Sequence, residues 1–221
     1  MEPRKRKSGK SGGRTQARAY HHGDLAAALV EAAEAVLTER GVEGFTLREC
    51  ARRAGVSHAA PAHHFKDTRS LLTEVAAVGF ERLTQAERDA RDAEPNPANR
   101  LVGVGMGYAG FALAHPAQFQ LMFQRGLLDQ TNERYLRASS AAFSIYTETY
   151  AAVYGVSFPE NVEKLSDVSV LREWANVHGV ATLAIQGQLG PAKTAADIAS
   201  MKRLIRAVFD DAQKYGLPLK I

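Results

Sequence analysis

Two short runs between Thr46 and Phe65 have the residue types of a nucleic-acid reader: Thr46-Leu47-Arg48-Glu49, and Ser57-His58-Ala59-Ala60-Pro61-Ala62-His63-His64-Phe65. Ala54-Gly55-Val56 lies between them. In such a unit a first short helix braces a second, and the N-terminal residues of the second enter the major groove. The sizes of the linking residues fit. Ala51 is small where the helices cross, Gly55 accepts a backbone conformation unfavourable to a β carbon, and Val56 is apolar enough to plug the core under the turn. Thr46 and Glu49 have the form of a capping box, with the hydroxyl on the third helical amide and the carboxylate reaching back to the cap amide. Ser57 is a suitable cap for the second helix, running to about Phe65, and Asp67 for the helix after it. Pro61 then falls in a first turn, where a missing amide is tolerated.

A second group has the chemistry of a small-molecule site. Met106, Phe111, Phe119, Met122, Phe123, Tyr146, Tyr150, Trp174 and His178 are spaced so that several can converge on one apolar cavity between helices, although the same residues also suit an ordinary core. Trp174 and His178 stand one helical turn apart on one face, where an indole donor and an imidazole can orient a polar ligand group. The glycines at 103, 105, 107 and 110 fit close helix packing, or space for a ligand beside Met106, Tyr108 and Phe111.

Other chemistries find no support. The seven histidines include the adjacent pairs His21-His22 and His63-His64, not the i, i+4 spacing that sets two ligands on one helical face, so no metal is expected. Cys50, the one cysteine, excludes an internal disulfide and reads as a small buried hydrophobe. With no nucleophile elbow and no phosphate-binding loop, the residues suggest neither an enzyme nor a cofactor.

The elements that must position these residues are helical. Apolar residues recur at three and four through most of the 221 residues, and no run alternates with period two. A first helix is expected from an Asp24 cap, with Leu25, Leu29, Ala32, Ala33, Val36 and Leu37 inward and Gly41 as its stop. A fourth carries Leu71, Leu72, Val75, Val78 and Leu83 until Glu94-Pro95-Asn96-Pro97 breaks it. Longer helices are expected near 98–114, 117–127, 131–154, 162–189 and 194–215. Leu101 to Ala114 is too short for a membrane span, which needs about 20 residues.

Charge is uneven. Arg4, Lys5, Arg6, Lys7, Lys10, Arg14 and Arg18 stand against Glu2 alone in the first 18 residues, a net +6, so the chain's +4 leaves the rest at −2. The arm, 1–19, is too polar to fold alone and suits either a solubilising tail or contact with a polyanion. No apolar segment follows it to make a secretory signal, so a cytoplasmic protein is expected, associated with the nucleoid when bound to DNA.

From Tyr20-His21-His22-Gly23-Asp24 through Leu83 the chain resembles the tetracycline-repressor-like (TetR/AcrR) family of bacterial regulators. The likeness lies in Thr46-Leu47-Arg48-Glu49, Ala51, Ala54-Gly55-Val56-Ser57, His64-Phe65 and Leu71-Leu72. Trp174 and Val177-His178-Gly179, with His115-Pro116 and Phe119 upstream, resemble the WHG-type regulatory domain of some members. The resemblance implies an all-α protein with a three-helix DNA-binding domain at 20–66, a connecting helix at 67–94 and a regulatory and dimerising bundle at 97–221. It implies Ser57, His58, Ala59, Ala60, His63 and His64 as base or phosphate contacts, and Thr46 and Arg48 as backbone contacts. Ala62 stands where the family usually has a phosphate-binding tyrosine, and Thr68 where it has a lysine, with Lys66 and Arg69 or the arm as substitutes. The function so implied is a homodimeric repressor released from a pseudo-palindromic double-stranded operator by an apolar small molecule. Two rivals differ in class: a nonspecific architectural DNA binder, and a helical carrier or enzyme for an apolar compound.

Overall fold

The computed structural model describes residues 22–157, 168–192 and 194–215, so the basic arm lies outside the described residues. Eight α-helices run through these residues, with no strand among them. The first, α1 (His22–Arg40), already includes Asp24, which is therefore inside the helix and not its cap. Gly41 ends it at φ +66°, where its amide reaches the Leu37 carbonyl at 2.9 Å. After α2 (Leu47–Arg53), α3 (Thr68–Asp92) starts with a complete capping box between Asp67 and Ser70. Its buried stripe of Leu71, Leu72, Val75, Ala76, Phe80 and Leu83 makes it the spine of the molecule.

The remaining helices pack on that spine. They are α4 (Arg100–Ala114), α5 (Pro116–Met122), α6 (Glu133–Tyr154), α7 (Val168–Ile185) and α8 (Ala195–Tyr215). The helix expected at 117–127 stops at Met122, and a 3-10 turn at Arg125–Leu127 follows. The one expected at 162–189 is described from Val168 and ends at Ile185, short of its expected limit because Gly187 and Gly190 take positive φ. Residues 162–167 lie outside the described residues. One apolar core runs from Leu29 on α1 through α3 to Ala181 on α7, so the reading unit and the bundle share packing.

Glycines on α4 set its distance from α3. A Cβ added at Gly107 would come within 2.7 Å of Glu87 Cα, and one at Gly103 within 2.7 Å of the Ala90 carbonyl. The close approach lays Tyr108 beside Glu87, two groups that sequence reading left unconnected. None of the described helices is long and apolar enough to cross a membrane.

Candidate functional site

The reading unit begins at Thr46, whose hydroxyl accepts from the Glu49 amide at 3.2 Å. Only that half of the expected capping box forms. The Glu49 carboxylate turns instead to Arg52, 2.6 Å away, and to Arg40, 3.0 Å away, and the Arg52 hydrogen bond holds its pKa down to about 2. Arg53 pairs with Glu39 of α1. Among the described residues Arg48 has no such carboxylate partner and is exposed, so of the α2 arginines it keeps its charge for an outside anion.

Ala51 is fully buried at the crossing, Gly55 sits at φ +69°, and Val56 packs on the core, as the sequence requires. Cys50 is fully buried, which pushes its thiol up to about 11 and leaves it no thiolate near neutrality.

The second helix differs from expectation. Instead of an α-helix from Ser57 to Phe65, the chain makes turns and then a 3-10 segment, Ala60–His63. Pro61 has no amide to return to the Ser57 carbonyl, which accepts from Ala60 at 3.0 Å in an i, i+3 bond. Ser57 therefore acts through its carbonyl and is not a side-chain cap; Ala59 takes the cap position. The altered backbone still leaves Ser57, His58, Ala59 and His63 exposed, with Ala60 and His64 half-buried and Pro61 and Phe65 turned inward. Thr46, Lys66 and the half-buried Thr68 flank the same loop. Arg69 does not stand free to replace a phosphate contact, because its guanidinium donates to the Gly126 carbonyl at 3.0 Å.

A cavity of about 520 Å³ lies in the bundle, a size suited to a drug-sized molecule. Five of the nine residues expected at a ligand site line it: Met122, Phe123, Tyr146, Trp174 and His178. The other four lie outside its wall. Met106, two residues from Tyr108 and so on the opposite face of α4, packs toward Met201 and Phe209 of α8. Phe111 stacks near His115 in the main core. Phe119 stands behind the wall, its ring centroid 5.6 Å from His178, and Tyr150 packs one turn below Tyr146 in a separate cluster.

The wall also holds Tyr108, where the glycine-rich helix left room for a ligand, and Glu87, which sequence reading missed. The Tyr108 hydroxyl lies 2.7 Å from His178 Nδ1, and the Trp174 ring stacks on His178 with ring centroids 5.5 Å apart. Burial keeps His178 neutral by lowering its pKa. Glu87 is 3% exposed, and burial alone pushes its carboxyl well above the usual range. No signal in the sequence marked Glu87, since it sits among the charged residues of a helix that reads as solvated after Leu83.

Residues 29–75 match the model for bacterial regulatory proteins of the tetR family, and residues 101–208 match a tetracyclin repressor-like C-terminal domain. The chain belongs to the tetR family of bacterial regulatory proteins. It is 32% identical over 90 residues to the HTH-type transcriptional repressor KstR2 of Mycobacterium tuberculosis, a match covering 41% of this chain and 45% of that protein. It is 33% identical over 81 residues to the HTH-type transcriptional regulator BetI of Serratia proteamaculans, covering 36% and 41%. The matches thus span less than half the length of these relatives. A solved structure of a protein with unknown function from Rhodococcus sp. RHA1 is similar over 91% of this chain and 99% of its own, at 35% identity and a TM-score of 0.69.

Proposed function

We propose that the chain is a DNA-binding transcriptional repressor that holds a pseudo-palindromic operator as a two-fold dimer and leaves it when a small molecule fills the cavity. The observation that carries this reading is the course of α3. Its first turn follows the reading loop at Asp67, and its middle lends Phe80, Leu83 and Glu87 to the cavity wall. A ligand that favours one position of α3 therefore biases the spacing of the two reading loops, by as much as its affinity differs between the two states.

In this reading residues 20–66 bind DNA, with 67–94 as the connecting helix and 97–221 as the regulatory and dimerising bundle. Arg48, Thr46, Lys66 and Thr68 meet phosphates, and Ser57, His58, Ala59, Ala60, His63 and His64 meet the groove. Dimerisation through the last two helices is supported by Leu171 and Leu183 on α7 and Leu204 on α8, each more than 40% exposed. The protein acts in the cytoplasm, at the nucleoid.

Selection of genomic fragments by the purified full chain, then footprinting with and without candidate compounds and with residues 1–18 deleted, tests the reading. A protected pseudo-palindrome that one compound abolishes is the expected result. Uniform weak retention of all sequences would replace the repressor with a nonspecific DNA binder.

A further inference from the structure

The cavity wall is mostly ring and hydrocarbon, yet it contains a carboxyl group that packing does not require. Glu87 Oε2 has no hydrogen-bond partner among the described residues. A buried polar atom left so is destabilising, and a methionine of similar length would avoid that cost. Among the described residues no cation stands beside it. The one arginine in the wall, Arg125, is exposed at the rim, where its Nε donates to Gln130 at 3.1 Å. Tyr108 interacts with Glu87, and the rings of Tyr146 and Trp174 line the same cavity; aromatic π faces carry partial negative charge.

A buried carboxyl without a counter-ion, in a cavity that aromatic side chains also line, is complementary to a cation. We propose that the cavity takes an organic cation, an amine or quaternary ammonium on an apolar body, with Glu87 as its counter-ion and the rings of Trp174, Tyr108 and Tyr146 around the charge. This rests on the reading of the cavity as the effector site, and it replaces the purely apolar ligand expected from the sequence. Burial favours the protonated form of Glu87 and a cation beside it favours the carboxylate, so binding is expected to release a proton and to tighten as pH rises. The other ionisable groups facing it are Tyr108 of α4, Tyr135 and Tyr146 of α6, His178 of α7 and, at the rim, Arg125. Burial pushes Tyr108 and Tyr146 up and His178 down, so these three favour their neutral forms.

Trp174 is the only tryptophan of the chain and lines the cavity, so its fluorescence reports occupancy directly. The probes are (4-phenylbutyl)trimethylammonium, its uncharged carbon isostere and 5-phenylpentanoate, each titrated into the full chain. The cation is expected to bind at least tenfold tighter than the isostere and to release a proton by calorimetry in two buffers. In Glu87→Gln that preference falls to near one. A wild-type cation affinity no better than the isostere's, or no released proton, overturns the inference. If the isostere or pentanoate binds in that case, the cavity remains an effector site for another chemistry. If none of the three probes changes the fluorescence, the inference is equally overturned, and the operator footprint then decides the parent reading separately. Proton release by the wild type decides the matter even if Glu87→Gln does not fold.

Discussion

The Tyr108 hydroxyl on α4 and His178 Nδ1 on α7 are 2.7 Å apart, a hydrogen bond that ties two helices together at the cavity wall. Tyr108→Phe removes the hydroxyl and leaves the edge-on ring contacts in place. We expect the compound that releases the wild type to bind roughly fivefold to tenfold more weakly, as for the loss of a hydrogen bond of about 1 kcal/mol. Operator affinity without compound should stay within about twofold on the same scale. Paired operator and compound titrations check both; a lost operator affinity would make Tyr108 part of the fold and not of the response.

Glu87 makes stability depend on pH in a predictable direction. Its folded pKa is raised, so the folded chain keeps a proton that the unfolded chain gives up above the ordinary value of 4.5. The contribution is favourable below that value and is lost as pH rises toward the folded pKa. Glu87→Gln should therefore match the wild type in thermal stability at pH 4 and exceed it by about 1–3 kcal/mol near pH 8. Equal melting curves at both pH values would mean that the carboxyl has a partner in solution.

Much of this molecule was legible in the residues themselves. Apolar spacing set α3 and α6, and Gly41, Gly55 and Asp67 marked turns that depend on one residue's own backbone or side chain. The reading helix was not legible, because Pro61 acts through the amide it lacks, and whether the turn survives as α or 3-10 depends on what Phe65 packs against. The cavity was half legible. Large aromatic residues announce themselves, but which face of α4 meets α3 is decided by the glycines at 103 and 107, and only that contact brings Glu87 to Tyr108.

Those glycines make opposite predictions from one residue type. Gly107→Ala drives a methyl group into the α3 backbone at Glu87, where neither helix can yield, and should destabilise by about 1–3 kcal/mol and shrink the cavity response. Gly110→Ala meets nothing within 4 Å and should stabilise by up to about 1 kcal/mol through helix propensity. Chemical denaturation of both variants separates packing from propensity. Similar losses at the two sites would show that α4 does not lie against α3 as described.

Arg48 is expected to act on DNA through charge alone. Arg48→Ala should weaken specific and competitor DNA to a similar extent and lower the salt slope of binding by about 1. His58→Ala, by contrast, should change the preferred operator more than the slope, since His58 is exposed on the loop proposed to meet the groove. Selection of binding sites by each variant at two salt concentrations tells the roles apart.

A second connection from the cavity wall to α1 runs through α5. Met122 lines the cavity, and one turn earlier on the same helix the buried Gln118 donates to the Val75 carbonyl of α3 at 2.9 Å and to Glu34 of α1 at 3.3 Å. Arg82 of α3 completes the cluster by donating to both Glu34, at 2.8 Å, and Gln118, at 3.2 Å. A Cβ at Gly79 would meet Met122 Sδ at 2.6 Å, so α5 packs closely on α3 at the cavity. Gln118→Met keeps the volume and the packing but cuts the polar tie to α1. Ligand affinity and ligand-free operator affinity should change little. The factor by which ligand weakens operator binding should shrink by about 0.5–2 kcal/mol, roughly twofold to thirtyfold. The measurement is a pair of operator titrations, with and without saturating compound, on the variant and the wild type. An undiminished factor would show that the signal bypasses α5 and passes to the reading loop along α3 alone.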